Sequence, residues 1–326
     1  MNALGWWFHG GVGERPNPTA CKAVQPPVQI RAPPPQSRNP GFDASIARLS
    51  HPTCEHGVVQ TTWSAGPLVG FDLETTGTDR YHDVPVSFAF VPYEGGVKVD
   101  GGINQIVNPG RPIPQGAIDV HGISNERAER EGIALIDAAI EIVARLLEAS
   151  DAGTPIVGSN LVYDLSMVEA LARRELGVGL VAQGFNAPVI DVLVIDKTFA
   201  KYRGGKRRLE VLSEFYGVTL SGAHDAAADA EAAVQVAIAQ AERFSTDAGR
   251  AKADRSVKNV DLSALSLSEL HERQIGWHRA WAEDFQQFLE SKNLKPMTVD
   301  EFLWPIATPD DIPEGGSPSS RMPTSD

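Results

Sequence analysis

From residue 67 onward the apolar positions follow two different periods. "LVGFDLE" (68–74) alternates with the two-residue period of a strand, as do "VPVSFAFVPY" (84–93) and "VKVDGGINQIVN" (97–108). The Glu94-Gly95-Gly96 turn makes these three an antiparallel meander. "PGRPIPQGAIDVHGIS" (109–124) follows, punctuated by proline and glycine, and reads as a loop. The period then lengthens. "ALIDAAIEIVARLLEAS" (134–150), "LVYDLSMVEALARREL" (161–176), "RRLEVLSEFYG" (207–217) and "DAAADAEAAVQVAIAQAERF" (225–244) carry helical spacing. Between them "TPIVGSN" (154–160) is a short buried strand, and "APVIDVLVID" (187–196) is a strand running into a helix. Three strands followed by alternating helix and strand predict an α/β fold, a mixed five-stranded sheet flanked by helices on both faces.

The flanks read differently. Residues 1–62 are rich in proline, have no sustained period, and are expected to be a disordered arm. The ordered domain is expected over 63–245. A polar linker and an amphipathic helical extension occupy 246–306, with an apolar stripe at Leu270, Trp277, Trp281, Phe285, Phe288 and Leu289. That stripe is expected to dock on its own domain, with a partner surface as the alternative. A polar tail, 307–326, closes the chain.

Composition narrows the function classes. The 326 residues, 42% apolar and 22% charged, are ordinary for a soluble globular protein. No apolar run is long enough to span a bilayer, and no secretory signal is evident, so no membrane role and a cytoplasmic setting are expected. Two cysteines, Cys21 and Cys54, make no disulfide framework. His51, Cys54 and His56 lack a fourth ligand at zinc-finger spacing. A net charge of −13 argues against bulk electrostatic binding of nucleic acid. It leaves room for a local basic patch, and "KTFAKYRGGKRR" (197–208) is the candidate.

The acids carry the chemistry. In a strand Asp72 and Glu74 point to one face while Val69, Phe71 and Leu73 point to the other. Asp164 shares a helical face with Met167, Val168 and Leu171, and Asp229 shares one with Ala232, Ala233 and Val236. Both acids therefore lie on inward stripes, where an ionised group needs a partner; for Asp164 taken singly that is a nearby backbone amide or arginine. Five residues of helix turn through roughly 140°. His224 and Asp229 thus cannot share a helical face, so His224 belongs in the loop before the helix, with Asp225 as its N-cap. Four inward acids from three segments in one pocket would require positive charge. Hard divalent cations, Mg²⁺ or Mn²⁺, suit carboxylate oxygens.

"FDLETTG", "SNLVYD" and "HDAAAD", in that order, with "IPQGAIDVHGIS" between the first two, resemble the DEDDh exonucleases. These are relatives of the bacterial polymerase III proofreading subunit within the ribonuclease H-like superfamily. The resemblance covers roughly residues 66–243. It implies a ribonuclease H-like sheet and two divalent ions held by Asp72, Glu74, Asp164 and Asp229, with His224 as general base. The activity implied is hydrolysis of phosphodiester bonds at 3′ ends, releasing nucleoside 5′-monophosphates. Thr75, Thr76, His121, Ile123 and Asn160 are the implied contacts to the terminal nucleotide, Asn160 also as a helix cap. Lys206, Arg207 and Arg208 are expected to hold the phosphate backbone. Tyr163 stands where the family often has phenylalanine, and Gly158-Ser159-Asn160 where histidine-asparagine is common; neither change removes an acid. DNA is the expected substrate. An exoribonuclease, or an end-binding module without catalysis, is the alternative, and proofreading would need a polymerase partner through the 268–290 helix.

Overall fold

The computed structural model describes residues 62–308 apart from Ser221 and Ala223. The proline-rich arm, the His51, Cys54, His56 triplet and the tail beyond 308 lie outside the described residues. The strands are β1 Leu68–Thr75, β2 Pro85–Glu94, β3 Val97–Lys98, β4 Ile103–Asn108, β5 Ile133–Ala134, β6 Ile156–Gly158 and β7 Val189–Asp191. The helices are α1 Gln115–His121, α2 Asn125–Glu131, α3 Leu135–Ala152, α4 Leu161–Leu176, α5 Val192–Phe199, α6 Leu209–Tyr216, α7 Ala226–Ser245, α8 Asp247–Arg250 and α9 Leu267–Ser291.

β1 sits in the middle of the mixed sheet, whose order is β5-β4-β2-β1-β6-β7 with β3 added beside β2. β1 pairs antiparallel with β2 along its whole length, Leu68 opposite Tyr93 and Glu74 opposite Ser87. It pairs parallel with β6 only at Val69 and Gly70. The sheet has seven strands rather than five because two two-residue strands, β3 and β5, join it. The stretch expected as one strand over 97–108 is divided: Val97–Lys98 closes the hairpin with β2, and β4 resumes at Ile103. Gly101, with φ +98°, makes that break.

Each face of the sheet buries its own cluster. Phe71, Leu73, Phe88 and Phe90 pack under α3 and α4 against Ile142, Leu146 and Leu165. On the other face Leu68, Val157 and Ile190 meet α5, α7 and α9 through Phe199, Val234, Phe244 and Leu270. A fully buried Phe or Leu contributes roughly 1.5–3 kcal/mol, so these two clusters dominate the fold energy. The Phe71 and Phe90 rings stack with centroids 4.7 Å apart.

The loop expected over 109–124 contains α1. Pro114 precedes its first turn and Gly122, at φ +71°, ends it. Proline is tolerated just at a helix start and glycine favoured just past its end, so the residues read as loop breakers are helix boundaries. Helix α9 docks on its own domain as expected. It closes the open edge of β7: the His271 ring accepts the Val189 amide at 3.0 Å. The Gln274 side chain accepts the Asp191 amide and donates to the Val189 carbonyl, both at 2.8 Å. An edge strand otherwise left unpaired is satisfied by side chains. Farther along, Trp281, Phe285 and Phe288 stack in a row, and Phe288 is 49% exposed. Among the described residues, no helix is long and apolar enough to cross a membrane.

Candidate active site

Three features of the backbone bring the acids together. The first is Gly70, two residues before Asp72 and therefore on the same face of β1. A Cβ there would stand 2.6 Å from the Ala230 carbonyl oxygen. The missing side chain lets the first turn of α7 lie directly on the strand, and that turn carries Asp229. The second is the early end of β6 at Gly158, which leaves the far half of β1 unpaired on that edge. Asp164, from the first turn of α4, reaches that free edge, and the Leu73 backbone amide stabilises its charged form. The third is the pleat itself, which puts Asp72 and Glu74 on one side.

Asp164 and Glu74 are buried, and Asp72 and Asp229 half-buried. Each carboxyl feels the others. Burial, then the carboxylates of Asp164, Asp229, Glu74 and Asp225, holds Asp72 well above the usual carboxylate range. Asp164 is raised by burial, with Asp191 and Glu74 adding to it. Burial, then Asp229 and Asp225, lifts Glu74 to about 7. Burial lifts Asp229 to about 6, with His224 pulling the other way. Four carboxylates that resist ionising together are relieved by positive charge placed among them. Asp229 Oδ1 is buried without a hydrogen-bond partner. Glu74, His224 and Asp229 each offer a ligand atom, all within 4.8 Å of one another. A donor set dominated by hard oxygens, with one orphaned, fits a hard divalent ion.

His224 stands in the loop before α7, as the spacing predicts, with φ +67°. Its amide donates to Asp229 Oδ2 at 3.2 Å, and Asp225 caps the helix by accepting from the Ala227 and Ala228 amides. The His224 ring is half-exposed, with Nε2 3.4 Å from Glu210 Oε1.

The expected nucleotide contacts divide. His121 is half-buried beside His224, and burial and that neighbour together lower its pKa. Its Nδ1 accepts the Ile123 amide at 3.1 Å, so the neutral ring carries its proton on Nε2, a buried atom without a partner. Ile123 is buried with Val86, Ile113 and Ala128, and belongs to a small core cluster. Thr76 is turned inward: its hydroxyl donates to Asp83 Oδ1 at 2.7 Å and its amide to the Val84 carbonyl. Thr75 donates to the Gly77 carbonyl at 2.7 Å, and the Tyr163 hydroxyl, which also donates to Gly77, lies 3.1 Å from it. The two threonine hydroxyls thus shape the loop after β1.

Asn160 occupies the N-cap of α4 at φ +66°, but its side chain does not cap. Asp191, at the end of β7, does so instead, accepting the Asn160 and Leu161 amides at 2.9 Å each. It also takes the Leu193 amide and the Trp304 ring N–H. Arg207 is a correction to the basic patch. Its guanidinium and that of Arg203 both clamp the fully buried Asp196. Such a charge tolerates burial only when paired. Lys201 pairs with Asp284 of α9, leaving Lys206 and Arg208 exposed on the loop.

Asp191 and Glu210 are the two residues of this region that the pattern of the sequence did not single out. Asp191 lies in an apolar run, and its task is legible only once the start of α4 is placed beside it. Glu210 reads as a surface helix acid until His224 faces it.

The sequence profile of the RNase_T family, described as exonuclease, matches residues 69–237. A DNA polymerase III subunit epsilon-like protein of Rhodobacter capsulatus is 32% identical over 168 residues, covering 51% of this chain and 22% of that protein. A PolC-type DNA polymerase III of Staphylococcus aureus is 30% identical over 179 residues, 54% of this chain and 11% of that protein. This chain therefore spans about a fifth or less of these curated relatives. Among solved structures, E. coli exonuclease I in complex with a dT13 oligonucleotide superposes with a TM-score of 0.45 at 19% identity, over 56% of this chain and 45% of that one.

Proposed function

The chain belongs to the RNase_T exonuclease family, and from that premise we propose that it removes nucleoside 5′-monophosphates from the 3′ ends of nucleic acid, with DNA as the substrate. The carrying observation is that Glu74 and Asp229 offer ligand atoms within 4.8 Å of each other and of His224, with Asp72 close enough to feel the charges of Glu74, Asp164 and Asp229.

Asp72, Glu74, Asp164 and Asp229 would hold a pair of divalent ions, which when bound would stabilise charge on the attacking and leaving oxygens of a phosphodiester. The protein's own part is geometry and proton transfer. The His224 imidazole takes the proton of the attacking water, and Glu210, 3.4 Å from its Nε2, steadies the imidazolium that results. Glu210 is thus a positioning residue. Asp191 holds the first amides of α4 and so fixes where Asp164 enters. His121 offers its Nε2 proton, buried and without a partner in the protein, to an acceptor on the terminal nucleotide. Lys206 and Arg208 remain as the exposed cations for the strand backbone. We assign the exonuclease unit to residues 63–245, with 246–306 as its helical extension.

The test is mononucleotide release from single-stranded DNA and RNA labelled at the 3′ or the 5′ end, with Mg²⁺ or Mn²⁺ and with EDTA. The 3′ label should leave at once as a mononucleotide, EDTA should stop it, and Asp72→Ala should be inert. Faster loss on DNA than on RNA supports the DNA assignment and the reverse corrects it. Equal degradation by wild type and Asp72→Ala would refute the assignment of the site.

A further inference from the structure

The far end of α7 carries a second concentration of charge, of opposite sign. Arg243 lies fourteen residues beyond Asp229, about 21 Å along the helix axis at 1.5 Å per residue. There a cavity of about 280 Å³ opens between α7 and the loop joining α5 to α6. Arg203, Arg243 and Lys252 line it, together with the rings of Tyr202 and Phe215.

Two of the lining cations have carboxylate partners, Arg203 on Asp196 and Lys201 on Asp284, and two, Arg243 and Lys252, have none among the described residues. The guanidinium carbons of Arg203 and Arg243 lie 5.2 and 4.6 Å from the centroid of the same Phe215 ring. Arg203 is fixed by its Nε on Asp196 and by its Nη1 on the Gly204 and Lys206 carbonyls. Its side chain is only 6% exposed, yet its Nη2 is buried with no hydrogen-bond partner. A buried guanidinium N–H without an acceptor costs free energy that an incoming anion would recover. Among the described residues, the side chains of Arg243 and Lys252 make neither a hydrogen bond nor an ion pair; that of Arg243 has only the faces of Phe215, Tyr216 and Phe244.

Nearby acids are already engaged. Asp196 answers both Arg203 and Arg207, and Asp284 answers Lys201. Asp254, on the cavity wall, accepts from the Ser256 amide and hydroxyl. Among the described residues, four basic residues line the cavity beside the single carboxylate of Asp254, and Arg243 and Lys252 are unpaired, so in a chain of net charge −13 they form a local anion trap.

The shape of the trap selects the anion. Guanidinium forks match the oxygens of a phosphate. Aromatic walls beside them suit a base or sugar attached to it. The volume lies just under the usual range for small-molecule sites, room for a single nucleotide unit. We propose that this cavity is a second nucleotide-phosphate site, remote from the catalytic acids. Its phosphate comes from a free nucleoside monophosphate or from a strand held by the protein. The proposal goes beyond the exonuclease reading and takes from it only the class of ligand.

Calorimetric titration of the full chain in EDTA tests it. Without divalent ions the catalytic carboxylates repel phosphate, so binding there is suppressed. The probes are deoxyadenosine monophosphate and a twelve-residue oligothymidylate. Wild type should bind at least one of them. Arg243→Ala/Lys252→Ala should bind it at least tenfold more weakly, and Lys252→Glu alone, at an exposed position, should also weaken it. Release of the terminal residue from a dinucleotide should be unchanged in both variants. Binding of the monophosphate identifies the free nucleotide as ligand; binding of the oligothymidylate alone identifies the strand. The proposal is overturned if wild type binds neither probe, or if the variants bind as tightly as wild type. No turnover is involved, so failure of the exonuclease assay would leave this result standing.

Discussion

His224 is held by strain and by one hydrogen bond. A non-glycine residue in the left-handed region costs of order 1–3 kcal/mol. Here the backbone is kept at φ +67° by the 3.2 Å bond from its amide to Asp229, so the proposed base and a proposed metal-holding acid share one local structure. That coupling sets the expected behaviour of variants. His224→Ala leaves the acids in place and should keep divalent-ion binding, while single-turnover cleavage falls by roughly 10²–10⁴-fold, the usual worth of a general base. Near-normal cleavage would remove His224 from the chemistry. Asp72, Glu74, Asp164, Asp229 and His224 were legible in the sequence because each broke a rule: an acid on an inward face, or a histidine just outside a helix. Thr76, Ile123 and Arg207 broke none. Whether a threonine hydroxyl or a guanidinium points outward depends on partners such as Asp83 and Asp196, which no periodicity reveals.

At the scale of elements, the packing of α9 on α5 carries a titratable contact. Lys197 of α5 places its ammonium 3.2 Å from the centroid of the Trp281 ring. Burial lowers its pKa to about 7, against the pull of Asp191 and Asp196, with Arg207 adding to the burial. The ordinary lysine value is about 10.4. Between these two values the unfolded chain holds a proton that the folded chain has released. Stability therefore rises with pH across that window, and the gain is lost as pH falls to 7. Thermal unfolding midpoints taken from pH 6 to pH 10 should show that rise in wild type. It should be absent from the Lys197→Met profile. Parallel profiles for the two proteins would show that this lysine keeps its ordinary pKa. The stripe on α9 was visible in the sequence; its partner was not, because the Gln274 and His271 contacts to the edge of β7 are side chain to backbone.

Across the whole molecule two opposed charge centres are separated by the length of α7. The fold class was legible because period 2 gave way to period 3.6 in an order that few topologies accommodate. Strand count was not, since a two-residue strand such as β3 or β5 is set by its neighbours and not by its own pattern. The central claim is that four carboxylates, each unable to ionise comfortably beside the others, are gathered to hold divalent cations. Calorimetric titration of Mn²⁺ into the full chain at neutral pH tests it most directly. The account predicts binding by wild type and at least a tenfold loss, about 1.4 kcal/mol, in Asp72→Asn and in Asp164→Asn. Unaltered Mn²⁺ affinity in both variants would contradict it.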